Sequence, residues 1–69
     1  MKVVIYGANG QLGRHVIKAL EGHVNMRVTD LEPFETAHEM VPVDVSDFDA
    51  VMRAAEGMDA IINLSVLRP

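Results

Sequence analysis

Val3-Val4-Ile5-Tyr6-Gly7-Ala8-Asn9-Gly10-Gln11-Leu12-Gly13 is the stretch on which the fold turns. Its first four residues are apolar at every position and β-branched or aromatic, the pattern of a strand buried on both faces. Gly7 closes that run. Beyond it Leu12, Val16, Ile17, Ala19 and Leu20 recur at helical spacing, while Gln11, Arg14, His15, Lys18 and Glu21 fill the opposite face, so a helix is predicted over 11–21. Gly22 stands where a left-handed cap ends such a helix. The glycines between strand and helix are spaced G-x-x-G-x-x-G. Without context, three glycines mark ordinary turns. After a buried strand and before an amphipathic helix they have separate uses: Gly7 permits a tight turn, Gly10 lets a ligand approach the backbone, and Gly13 allows the helix to pack closely on the strand. The free N–H groups at the start of the helix, with Gln11 and Leu12 as backbone donors, offer hydrogen bonds and a partial positive charge to phosphates.

Working outward, Met26-Arg27-Val28-Thr29 is a second short strand, with Asp30 at its carboxyl end, 23 positions beyond Gly7. An acidic side chain at that place accepts hydrogen bonds from the adenosine ribose of a dinucleotide. It also repels a 2′-phosphate, which favours NAD over NADP. The other reading of Asp30 is a solvated loop aspartate. Arg14 and Arg27 are the two cations able to reverse the cofactor preference, and Arg27 reads equally as a solvated strand residue. Leu31 to Glu39 contains Pro33, has no helical period and is predicted to be a loop. Met40-Val41-Pro42-Val43 is strand-like, and Pro42, lacking a ladder donor, places it at a sheet margin. Ser46 with Asp49 resembles a capping box, followed by an apolar stripe of Phe48, Val51, Met52 and Ala55 that ends at Gly57. Ala60-Ile61-Ile62-Asn63-Leu64 is a last buried strand, after which the sequence runs on to Arg68 and Pro69.

Strands alternating with helices predict an α/β fold of parallel strands joined by right-handed crossovers. The first helix carries the chain one way and the second carries it back. The expected architecture is therefore a partial Rossmann fold, a four-stranded sheet in the order 3-2-1-4 with a helix on each face. Strand four is then an open apolar edge, which predicts self-association through it.

The chain has 69 residues, enough for one small domain over 1–69, expected to be the N-terminal part of a dinucleotide-binding domain whose remainder and substrate region are absent. A hydrophobic fraction of 49% with 23% charged residues is that of a globular chain. A net charge of −4 argues against nucleic-acid binding, which needs clustered basic residues. Cysteine is absent, in keeping with a reducing cytoplasm. The apolar amino-terminal run is too short for a signal sequence or a membrane span. His15, His23 and His38 lack the spacing of a metal site, and Asp44, Asp47 and Asp49 lack the glycine turn and final glutamate of a calcium loop. No metal is expected.

Taken together, Val4 to Gly13 resemble the opening of the extended or atypical short-chain dehydrogenase/reductases, in particular the NAD-dependent epimerase/dehydratase family. Older dinucleotide-binding domains use G-x-G-x-x-G, and here Asn9 occupies the place of the second glycine. Val43-Asp44-Val45-Ser46-Asp47 is similar to the family's step after strand three, where the aspartate meets the adenine amino group and the next backbone meets the ring. Gly57-Met58-Asp59-Ala60-Ile61-Ile62-Asn63-Leu64-Ser65 looks like the family's run into strand four, whose end lines the ribose and nicotinamide side of the cleft. Asn63 and Ser65 depart from the histidine and alanine that many members carry.

The resemblance implies NAD as cofactor, with Gly7, Asn9, Gly10, Gln11, Leu12, Gly13, Asp30, Leu31, Asp44, Val45, Leu64 and Ser65 around it. It also implies an epimerase, dehydratase or reductase acting on a nucleotide-linked sugar or a similar alcohol or carbonyl substrate. The family's catalytic Tyr-x-x-x-Lys lies beyond position 69, and Tyr6 is not that tyrosine, because Gly10 stands four residues after it. No catalytic residue is expected in this chain. The alternatives are a non-catalytic dinucleotide-binding module and a truncated product.

Overall fold

A computed structural model describes residues 1–65; Arg68 and Pro69 lie outside the described residues. Six elements follow one another: β1 (Lys2–Tyr6), α1 (Gln11–Leu20), β2 (Asn25–Asp30), β3 (Glu39–Pro42), α2 (Phe48–Ala55) and β4 (Ala60–Asn63). All strand pairs are parallel and the sheet order is β3-β2-β1-β4, as the crossover argument requires. Pro42 sits on edge strand β3, opposite Asp30 of β2. Leu31 to His38 form the expected irregular connection.

The alternation of strand side chains separates two layers of core. Val3 and Ile5 of β1 join Met26 and Val28 of β2 under α1, against Val16, Ile17 and Leu20. Val4 and Tyr6 point the other way, with Val43, toward Ala50, Val51, Ala54 and Ala55 of α2. One helix thus covers each face. Among the described residues no helix is long and apolar enough to cross a membrane.

Three local readings need correction. Ser46 is not the cap of α2; Asp47 is, its carboxylate accepting the Ala50 N–H at 3.2 Å. The Ser46 hydroxyl is already engaged with Asp44 at 2.7 Å, so the next residue takes the capping role. The predicted stripe on α2 is also rotated: Phe48 is 73% and Met52 53% exposed, while the alanines face the sheet. The third concerns α1, where Leu12 is 62% exposed, Ala19 also faces solvent, and Gly13 is buried in their place. The helix itself stops at Leu20, and Gly22 turns the chain with φ +81°.

Candidate functional site

The carboxyl ends of the strands gather the residues that the motifs singled out. Gly7 leaves β1 with φ +74°, a backbone conformation that a side chain resists. A Cβ there would also fall within 2.6 Å of the Ser65 backbone nitrogen, so the turn is pressed against the end of β4. The Leu64 N–H donates to the Tyr6 carbonyl at 2.8 Å and fixes that approach. Next along the loop, Ala8 is fully buried and its N–H donates to the Thr29 carbonyl at 2.9 Å, bringing the loop beside the end of β2. Gly13 packs on Ala8 so closely that a Cβ would overlap the Ala8 carbonyl. Around Gly10, by contrast, the space that a Cβ would occupy is open.

Asp30 is held by two backbone donors. One carboxylate oxygen accepts the Asn9 N–H at 2.9 Å and the other accepts the Leu31 N–H at 2.8 Å. Each oxygen keeps a lone-pair direction for a further donor. The Asn9 side chain in turn accepts from the Arg14 guanidinium at 3.2 Å, which ties Arg14 to the loop. Arg27 lies elsewhere. Its guanidinium pairs with Glu39 at 2.9 Å and donates to the carbonyls of Ala54 at 2.7 Å and Glu56 at 3.0 Å. It is therefore neither a phosphate ligand beside Asp30 nor a freely solvated strand residue.

After β3, the Val43 N–H donates to the Asp30 carbonyl at 2.8 Å. Asp44 follows, and one of its oxygens accepts both the hydroxyl of Ser46, at 2.7 Å, and its N–H, at 2.9 Å. The hydroxyl bond first and the backbone bond second hold the Asp44 carboxyl below its ordinary value. After β4 the same arrangement recurs, with the Asn63 side-chain oxygen accepting the N–H and hydroxyl of Ser65. Burial raises the pKa of the Tyr6 phenol, with Arg27 opposing the shift, and the hydroxyl donates to the Val51 carbonyl at 2.6 Å.

These segments enclose an open groove of about 450 Å³. Gly7, Asn9, Gly10, Asp30, Leu31, Asp44, Val45, Leu64 and Ser65 line it, together with Val43, which the sequence reading placed in a strand. Gln11, Leu12 and Gly13 are not among the lining residues: Gln11 and Leu12 stand exposed on the first turn of α1, and Gly13 is buried against Ala8. The histidines do not converge; His38 faces Glu21 at 2.9 Å. Among the described residues no group of three or more His, Asp or Glu could hold a metal ion. The Asp-x-Ser spacing at 44–46, repeated as Asn-x-Ser at 63–65, was the available signal for the two turns that rim the groove.

The family model described as "NAD dependent epimerase/dehydratase family" matches residues 3–68. Among solved structures, the chain is similar to uronate dehydrogenase from Agrobacterium tumefaciens, with 35% identity and a TM-score of 0.84 over 99% of this chain and 28% of that one. A short-chain dehydrogenase/reductase superfamily protein from the same organism, solved with bound NAD, superposes at a TM-score of 0.86 with 28% identity, over 100% of this chain and 21% of that one. Glucuronic acid dehydrogenase from Chromohalobacter salexigens is 31% identical, with a TM-score of 0.76 over 99% of this chain and 28% of that one. The chain therefore spans between a fifth and a third of the length of these structures. No curated protein matched it at a significant level.

Proposed function

The chain belongs to the NAD dependent epimerase/dehydratase family, and on that premise we propose that it binds NAD in the groove at the carboxyl ends of its strands, as the cofactor-binding part of a longer oxidoreductase. The observation that carries this reading is the pairing of an open glycine loop with a carboxylate fixed beside it. Gly10 presents bare backbone to the groove, and the first turn of α1 contributes N–H groups with no acidic residue to compete for them. The donor set suits a pyrophosphate.

Asp30, oriented by the Asn9 and Leu31 N–H groups, accepts the two ribose hydroxyls of the adenosine half. Its charge disfavours a 2′-phosphate at the same place, and Arg27, committed to Glu39 and α2, does not offset it. Leu31 flanks the adenine. Asp44 uses the oxygen that Ser46 leaves free to accept from the adenine amino group, while the Val45 backbone meets the ring. Leu64 and Ser65 line the far side, toward the nicotinamide. When bound, the nicotinamide supplies hydride acceptance and donation. The residues here bind and orient it, and no Tyr-x-x-x-Lys pair for proton transfer is among these 69 residues. A sugar, free or nucleotide-linked, or a sugar acid such as those named for the similar dehydrogenases, is the proposed substrate class of the whole protein.

Calorimetric titration of the whole protein with NAD and NADP tests the reading. Saturable NAD binding, weaker NADP binding and a loss of that discrimination in Asp30→Ala are expected. Absence of NAD binding overturns the assignment, and equal affinities for both cofactors before and after the substitution overturn the role of Asp30.

A further inference from the structure

Two sheet residues outside the groove grip the same helix by its backbone. Tyr6, the last residue of β1 and the neighbour of Gly7, is buried, and its hydroxyl donates to the carbonyl of Val51 in α2. Arg27, in mid-β2, divides one guanidinium nitrogen between the carbonyls of Ala54 and Glu56 at the carboxyl end of the helix, beyond the mid-helix contact of Tyr6, and anchors a second nitrogen on Glu39 of β3. A cation on the last carbonyls of a helix also meets the negative end of its dipole.

What these contacts hold is a helix with little other grip. α2 has eight residues, and it meets the sheet through Ala50, Val51, Ala54 and Ala55, small side chains that interlock weakly, while Phe48 and Met52 face outward. The helix is tied rigidly to the turn before it: the Asp47 carboxylate caps the Ala50 N–H, the Asp47 carbonyl accepts the Val51 N–H, and the Asp47 N–H donates to the Asp44 carbonyl. Val43 is pinned to the Asp30 carbonyl, so a slide of α2 along its axis swings Asp44 and Val45 about that anchor, toward or away from the glycine loop. We propose that Tyr6 and Arg27 are positioning residues that fix this spacing and so match the groove to the distance between an adenine and its pyrophosphate. The inference rests on the dinucleotide reading above, and neither residue touches the ligand.

Affinities of the whole protein for NAD, AMP and inorganic pyrophosphate, read by NMR titration and corrected for the folded fraction, test it in Tyr6→Phe, Arg27→Met and Arg27→Lys. Loss of one such hydrogen bond is expected to weaken AMP and NAD about fivefold and to leave pyrophosphate unchanged, because the glycine loop itself is intact. Arg27→Lys should restore part of the loss seen in Arg27→Met, since it keeps the charge but not the fork. A change in melting temperature with AMP affinity unaltered overturns the proposal, as does an equal loss for AMP and pyrophosphate. If Tyr6→Phe fails to fold, the two Arg27 variants carry the same test. Failure of the unsubstituted protein to bind NAD removes the dinucleotide reading and this inference with it; NAD binding that all three variants share removes this inference alone.

Discussion

Gly10 and Gly13 stand three positions apart and answer different demands. Gly13 has no room for a methyl group against the Ala8 carbonyl, so Gly13→Ala is expected to cost about 1–3 kcal/mol of stability through overpacking, measured by urea denaturation; an unchanged midpoint would show that the helix shifts freely. Asp44 supplies the pH-dependent case. Its carboxyl is held low by Ser46, so the contribution of that turn is present above the unfolded pKa and is lost as pH falls through the lower folded value. Ser46→Ala should raise the Asp44 pKa toward the ordinary carboxylate range, as followed by carboxyl carbon shifts in an NMR titration, and an unmoved titration would refute the assignment. Asp30 and the glycines were legible because their neighbours in sequence set their place. The cap was not: Ser46 and Asp47 both suit it, and only the competing bond to Asp44 decides between them. Arg27 was equally opaque, since its partners lie 12 to 29 positions away.

Periodicity located both helices and turned Val16, Ile17 and Leu20 of α1 toward the core, missing there only Leu12 and Ala19, but it misjudged which way α2 faces. On α2, spacing alone groups Phe48, Val51, Met52 and Ala55, yet the inward-facing Tyr6 and the buried Val43 leave room only for small residues beneath the helix. A short helix tolerates such a rotation because few side chains vote on its orientation. Phe48→Ser is accordingly expected to change stability by no more than about 0.5 kcal/mol, where a core phenylalanine would cost several times that. Chemical denaturation separates the two cases, and a loss above about 2 kcal/mol would place Phe48 in the core. β1 was read faithfully, because it is buried on both faces and its composition admits no other element; β4, read as a buried strand, instead leaves Ile61 and Asn63 exposed, because its outer side has no neighbouring strand among the described residues.

In the molecule as a whole the sheet is protected unevenly. Edge strand β3 carries Pro42, a residue that blunts pairing, whereas β4 ends the sheet with Ile61 60% exposed. A polypeptide of these 69 residues made alone is expected to self-associate through β4 in a concentration-dependent way, and Ile61→Lys should shift it toward monomer in sedimentation velocity. A compact monomer at all concentrations before the substitution would reject an adhesive edge. Sheet order and handedness were legible at this scale because parallel crossovers allow few solutions. The groove's floor was less so, since it depends on the contact between Gly7 and the end of β4. That contact has a consequence for synthesis. The glycine loop leaves the ribosome before the backbone of Leu64 and Ser65 that backs it, which lies 57 to 58 positions beyond Gly7. At translation speeds of about 5–20 residues per second the nascent loop waits roughly 3–12 s for its support, so an intact pocket certifies that translation has passed position 65.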